Sequence, residues 1–184
     1  TLFPYTTLFR SASRVAIVTG GAQGIGRGIT ARLLADSGSK WSVVAVDRDA
    51  AGVRDAEQHF AAAVAAKQLV ILEGDCGEQP TAARAVAAAV ATFGRLDLLV
   101  NNCGGGGLGV PFLEATPEQW RAAIDGNLSS GFFFSQAAAP ALTEAGGAIV
   151  NIASTRAAMS EPNCEGYAAA KGGKIGRASC RERV

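Results

Sequence analysis

At 184 residues, 48% of them hydrophobic and with 17 Lys and Arg against 16 Asp and Glu, the chain suits one globular domain with a sizeable core and is too short for two. A net charge of +1 leaves no electrostatic footprint for nucleic acid. No apolar run approaches the roughly 18 residues of a membrane span, so a soluble, cytoplasmic protein is expected. Cys76, Cys103, Cys164 and Cys180 are scattered without a CxxC, and His59 is the single histidine; neither a metal site nor a disulfide framework is expected, and each cysteine is read as a free thiol.

Residues 1–11 lack the basic and then apolar regions of a signal peptide. From Ala12 to Gly173, short β-branched runs alternate with Ala-rich stretches, a pattern that predicts a parallel sheet covered by helices on both faces. Strands are expected at Val15 to Thr19, Ser42 to Asp47, Leu69 to Glu73, Leu96 to Asn101 and Ala148 to Ile152. Helices are expected near 24–37, 50–66, 79–93, 117–142 and 164–173, with Thr116-Pro117-Glu118 as a start signal and Pro140 as a kink or an end.

The two ends are expected to share an origin outside the domain. One back-translation of residues 1–11 looks like a widely used short-read sequencing adapter, and part of the reverse complement of that oligonucleotide translates as residues 175–184, its preceding two bases supplying the end of a Lys174 codon. Residues 1–11 and 174–184 are therefore expected to be adapter-derived, leaving 12–173 as the genuine segment. Without them go five basic residues (Arg10, Lys174, Arg177, Arg181, Arg183) and Glu182, and the remainder carries a net charge of −3.

Thr19-Gly20-Gly21-Ala22-Gln23-Gly24-Ile25-Gly26 follows the first strand and opens a helix. There glycines allow a tight turn and let backbone N–H groups meet a pyrophosphate, although glycine-rich loops after strands also serve as plain turns. Asp47 ends the second strand, where a carboxylate can accept from both hydroxyls of an adenine ribose and repel a 2′-phosphate, favouring NAD. Arg48 beside it could instead neutralise that phosphate, so NADP stays open. Asp75, just past the third strand, could reach the adenine or simply form a turn. Tyr167 and Lys171 stand four apart and so share a helix face, where the ammonium favours the phenolate of a general acid/base.

Taken in order, residues 19–26, Asn-Asn-Cys-Gly at 101–104, Asn127, Ser154 and Tyr-Ala-Ala-Ala-Lys at 167–171 resemble the short-chain dehydrogenase/reductase family. The match spans residues 14–173. The resemblance implies a Rossmann-type doubly wound α/β domain with five strands present and the C-terminal strands missing. It implies a catalytic tetrad of Asn127, Ser154, Tyr167 and Lys171. It also implies a cofactor site built from Gly20, Gln23, Gly24, Ile25, Gly26, Asp47, Asp75, Asn102 and Gly104, with Tyr167 and Lys171 reaching the nicotinamide end. Lys171 would hold the ribose, Tyr167 would move the proton, Ser154 would donate to the substrate oxygen, and Asn127 would kink its helix and support a proton-relay water.

Two departures stand out. Cys103 replaces the usual Ala, leaving a thiol near the cofactor, and Gly104 to Gly107 is a long glycine run expected to be mobile. The implied activity is that of an NAD-linked dehydrogenase or reductase acting on a small alcohol or ketone, in a parent protein that is a homodimer or homotetramer. The substrate itself is not readable: the residues that select it are expected mostly in the part of the family pattern absent here, and Ser154 to Glu165 offer little besides Arg156 and Glu161 to discriminate among polar substrates. Two other readings stay open: an inactive truncated fragment whose exposed fifth strand makes it aggregate, and a nucleotide-binding protein without turnover, against which the presence of Tyr167 and Lys171 counts.

Overall fold

Apolar runs of four to seven residues become strands, and the Ala-rich intervals become the helices that pack on them. The computed structural model describes residues 13–105, 110–159 and 161–179. In chain order these give β1 (Arg14–Thr19), α1 (Gly24–Leu34), β2 (Trp41–Asp47), α2 (Ala50–His59), α3 (Ala61–Ala65), β3 (Leu69–Glu73), α4 (Gln79–Phe93), β4 (Leu98–Asn101), α5 (Pro117–Ile124), α6 (Ser130–Ala145), β5 (Ala148–Asn151) and α7 (Glu165–Ser179). The strands form one parallel sheet in the order β3-β2-β1-β4-β5. This is the expected Rossmann-type architecture.

Alternate side chains feed two cores. Ile17, Val44, Val46 and Leu99 pack with Ala82, Ala85 and Ala89 of α4 and with Phe134, Ala138 and Leu142 of α6. Val18, Val43, Ala45 and Val100 face Ile29, Leu33 and Leu34 of α1. The chain reverses its direction of winding between β1 and β4, so a crevice opens beyond the carboxyl ends of those strands. The loops after β1, β2, β3 and β4 all reach it.

Strand limits differ from expectation by a residue or two. β4 begins at Leu98 because Asp97 takes the Val15 N–H with its carboxylate at 2.8 Å, not with a ladder carbonyl. The helix expected over 50–66 breaks at Phe60 (φ −103°, ψ 24°) into α2 and α3. The helix expected over 117–142 starts where predicted, with Thr116 and Gln119 forming a capping box. It does not yield at Pro140, which sits on the exposed side of α6, where a freed carbonyl meets solvent. It widens instead into a π-helical turn at Asp125–Ser129, and α6 runs on to Gly146 (φ +64°).

The last helix continues beyond Gly173 to Ser179. Lys174 lies inside, 1% exposed, and donates to the Asn101 carbonyl at 3.2 Å; Arg177 donates to Asn151 Oδ1 at 2.9 Å. Residues 1–11, expected to be foreign, lie outside the described residues, as do Gly106 and Gly107 of the glycine run. At the sheet edge, β5 leaves Ile149 and Val150 40% and 44% exposed.

Candidate active site

The turn after β1 is built on glycine conformations. Gly20 adopts φ +63° and Gly24 φ +49°, left-handed values that a side chain resists. Gly26 is needed for closeness, since a Cβ there would fall onto the Gly20 carbonyl oxygen. The loop is also tied to β4: Asn102 Nδ2 donates to the Thr19 and Gly20 carbonyls at 2.9 and 3.3 Å, and the Cys103 N–H donates to Thr19 Oγ1 at 2.9 Å. Asn102 thus acts by holding the loop. At the start of α1 the N-cap residue Gln23 makes no side-chain cap, so N–H groups of the first turn remain for a ligand.

Asp47 and Asp75 line the crevice beside this loop. Asp47 accepts from the Ala22 N–H at 3.3 Å and the Asp49 N–H at 3.2 Å, so its carboxylate is fixed at the mouth of β2. Asp75 accepts the Gly77 N–H at 2.8 Å, the turn role open to it from sequence, and pairs with Arg48 at 3.4 Å.

At the other end three segments converge. Asn127, in the π turn and 2% exposed, donates to the Ala123 carbonyl at 2.9 Å and the Gly105 carbonyl at 3.2 Å, while its buried Oδ1 has no protein partner. Lys171, 3% exposed, donates to the Ile152 carbonyl at 3.2 Å and holds its ammonium 5.3 Å from the centre of the Tyr167 ring. Burial pushes the Lys171 pKa down. Gly104 fits between them because a Cβ would overlap Asn127 Oδ1 and stand 3.2 Å from Lys171 Nζ.

The crevice has a volume of about 750 Å³ and takes in Gly20, Gln23, Gly24, Ile25, Asp47, Asp75, Asn102, Gly104, Asn127, Tyr167 and Lys171, so the structure brings together nearly every residue singled out from sequence. Gly26 lies beneath it. Ser154 is beside it, after the lining residues Ile152 and Ala153; its Oγ accepts the Arg156 N–H at 3.2 Å and caps the 3₁₀ turn at Thr155–Ala157. Arg156 and Glu161 pair with each other.

Some contributors carry no signal in the sequence. Gln119 and Gly126 line the crevice from α5 and the π turn, and Cys76 lines it beside Cys103; no motif flags them. Lys174 lies next to Lys171, and burial first, then the Lys171 charge, pushes its pKa down to about 8. The glycine cradle, the fixed carboxylate of Asp47 and the unpartnered Asn127 Oδ1 fit a dinucleotide lying along the crevice.

Comparison with known proteins agrees. The family model described as short chain dehydrogenase matches residues 14–181. The chain is 40% identical over 176 residues to 2,3-dihydroxy-2,3-dihydro-p-cumate dehydrogenase of Pseudomonas putida, covering 93% of this chain and 66% of that protein. Among solved structures it is similar to levodione reductase (TM-score 0.80, 28% identity, 89% of this chain and 63% of the other). It is similar also to a 3-oxoacyl-[acyl-carrier protein] reductase from Brucella melitensis in complex with NAD (TM-score 0.74, 30% identity, 90% and 65%). The chain thus spans slightly less than two thirds of the length of these relatives. It belongs to the short-chain dehydrogenase family.

Proposed function

We propose that residues 12–173 are part of a longer NAD-linked oxidoreductase that interconverts a small secondary alcohol and its ketone. The observation that carries this reading is the convergence of Asn127, Tyr167 and Lys171 on one end of a crevice whose other end is the glycine loop and Asp47. NAD supplies hydride acceptance when bound. Tyr167 then serves as general acid/base toward the substrate oxygen, and Lys171, its ammonium beside the phenol ring, would hold the ribose of the bound cofactor. Ser154 Oγ already accepts a backbone N–H, which leaves its own O–H to donate to the substrate oxygen where charge develops. Asn127 Oδ1 is the acceptor for a relay water between Lys171 and solvent. What supports NAD over NADP is that Arg48, the cation that could meet a 2′-phosphate, pairs with Asp75, while the Asp47 carboxylate, fixed by the Ala22 and Asp49 N–H groups, would accept from the ribose hydroxyls.

A second reading concerns the 184-residue chain itself: an inactive segment bounded by translated adapter DNA at 1–11 and 174–184. What favours it is Lys174, an ammonium enclosed at a core position of α7 with one carbonyl for a partner. The two readings are compatible. The test of the first is cofactor choice in the full-length protein with a series of secondary alcohols. NAD reduction is expected at least about tenfold faster than NADP reduction at equal low cofactor concentration; equal or faster use of NADP sinks the role given to Asp47.

A further inference from the structure

The chain between β5 and α7 joins the turn that bears Ser154 to the helix that bears Tyr167 and Lys171. Its two charged residues engage each other, Arg156 Nη2 donating to Glu161 Oε1. Glu161 is tied in turn to the start of α7, because its N–H donates to Cys164 Sγ at 3.1 Å and its carbonyl accepts the Cys164 S–H at 2.8 Å. Asn163, at φ +65°, makes the reversal that brings these groups together. Cys164 is 8% exposed, and its carbonyl accepts the Ala168 N–H at 2.7 Å, so it moves with the first turn of the helix. On the other side the Arg156 N–H donates to Ser154 Oγ at 3.2 Å, and the Ala157 N–H donates to the Ser154 carbonyl at 3.0 Å. A Cβ on Gly172 would stand 3.7 Å from the Ala157 carbonyl oxygen, so the 3₁₀ turn also lies against α7 about two turns beyond Cys164.

We propose that the link from Arg156 through Glu161 to Cys164 is a clasp that sets Ser154 against Tyr167, with Glu161 as the positioning residue. The inference rests on Ser154 donating to the substrate oxygen and Tyr167 moving the proton of that oxygen. Those two roles meet on one atom, so the hydroxyl and the phenol must keep a fixed separation although they stand on different elements, thirteen residues apart. Packing at Gly172 fixes one point of the turn, about which it can still rock. The clasp supplies a second point. Glu161 meets the turn with its carboxylate and the helix with its backbone, and so joins the two through a single residue. With the Arg156 and Glu161 side chains 28% and 57% exposed, the ion pair adds little to overall stability. Its effect is on geometry. An unclasped turn holds the Ser154 hydroxyl less firmly toward the oxygen on which charge develops, which slows the chemical step. Dinucleotide binding is spared, because the glycine loop and Asp47 lie at the other end of the crevice.

The test uses the full-length protein with NAD and the secondary alcohol that it oxidises fastest. Glu161→Ala is expected to lower kcat roughly tenfold, with KM and NADH Kd within about twofold of the unsubstituted protein. Exchanging the charges, Arg156→Glu together with Glu161→Arg, is expected to bring kcat back to within about threefold. In a Ser154→Ala background the loss at Glu161 is expected to vanish, which a merely destabilising substitution would not do. Labelling of Cys164 by iodoacetamide, read by mass on its own peptide, is expected to quicken at least about tenfold in Glu161→Ala as the loop opens. An unchanged kcat in Glu161→Ala, a charge exchange that recovers nothing, or an equal loss with and without the Ser154 hydroxyl overturns the proposal. Ser154→Ala at the unsubstituted rate overturns the Ser154 role and the positioning role together. The labelling rate needs no substrate and so tells that outcome from a clasp that never held, which unchanged labelling would reveal.

Discussion

Lys174 shows how one side chain can be out of keeping with its surroundings. Its ammonium is enclosed, meets one carbonyl, and lies beside the charge of Lys171. Its pKa falls from 10.5 to about 8, so between those values the unfolded chain binds more protons than the folded one. Stability from this group therefore rises as pH climbs through that window, and below pH 8 the penalty is present in full. Lys174→Leu in the 184-residue chain is expected to gain about 2 kcal/mol at pH 7, or about 4–8 °C in Tm, and to flatten the rise in Tm between pH 8 and 10. Melts that show no gain contradict the burial of this charge.

Among the elements, α1 separates glycines that matter for different reasons. Gly26 lies against the Gly20 carbonyl and has no room for a Cβ, whereas Gly28, one turn-edge further on and exposed, has nothing within 4 Å of where a Cβ would go. Gly26→Ala is expected to raise the NADH Kd of the full-length protein at least roughly tenfold by forcing the loop open. Gly28→Ala should leave NADH binding unchanged and add about 1 kcal/mol of stability through helix propensity. Parallel isothermal and thermal titrations of the two variants check the pair, and equal effects on binding would contradict the cradle.

The strands and the order of the helices were legible because a strand covered on both faces must be apolar throughout, as Val43 to Val46 are. The break at Asn127 was not legible from local residues: Pro140 is the stronger breaker, but it faces solvent, while Asn127 donates a tertiary hydrogen bond to the Gly105 carbonyl that no helical propensity encodes. Most of the candidate site could be named from sequence because Gly20, Asp47, Asn102, Tyr167 and Lys171 sit at strand ends or on one helix face, positions that the pattern of elements fixes. Cys76 reaches the crevice from the loop after β3 and Gln119 from α5, and Lys174 reaches the Asn101 carbonyl from an extension of α7, none of them marked by a motif.

For the whole molecule, the sheet ends on β5, a strand with Ile149 and Val150 open to solvent and neighbours on one side only. Such an edge pairs readily with another copy. The 184-residue chain is expected to sediment as concentration-dependent species larger than a monomer, and a soluble, cooperatively melting monomer would contradict this. Turnover of Tyr167→Phe in the full-length protein, measured alongside NADH affinity, decides whether the crevice holds a dinucleotide so that Tyr167 can move the substrate proton. A loss in kcat/KM of at least about a hundredfold with NADH Kd within twofold is the expected result; NAD-dependent oxidation that survives the substitution would contradict it.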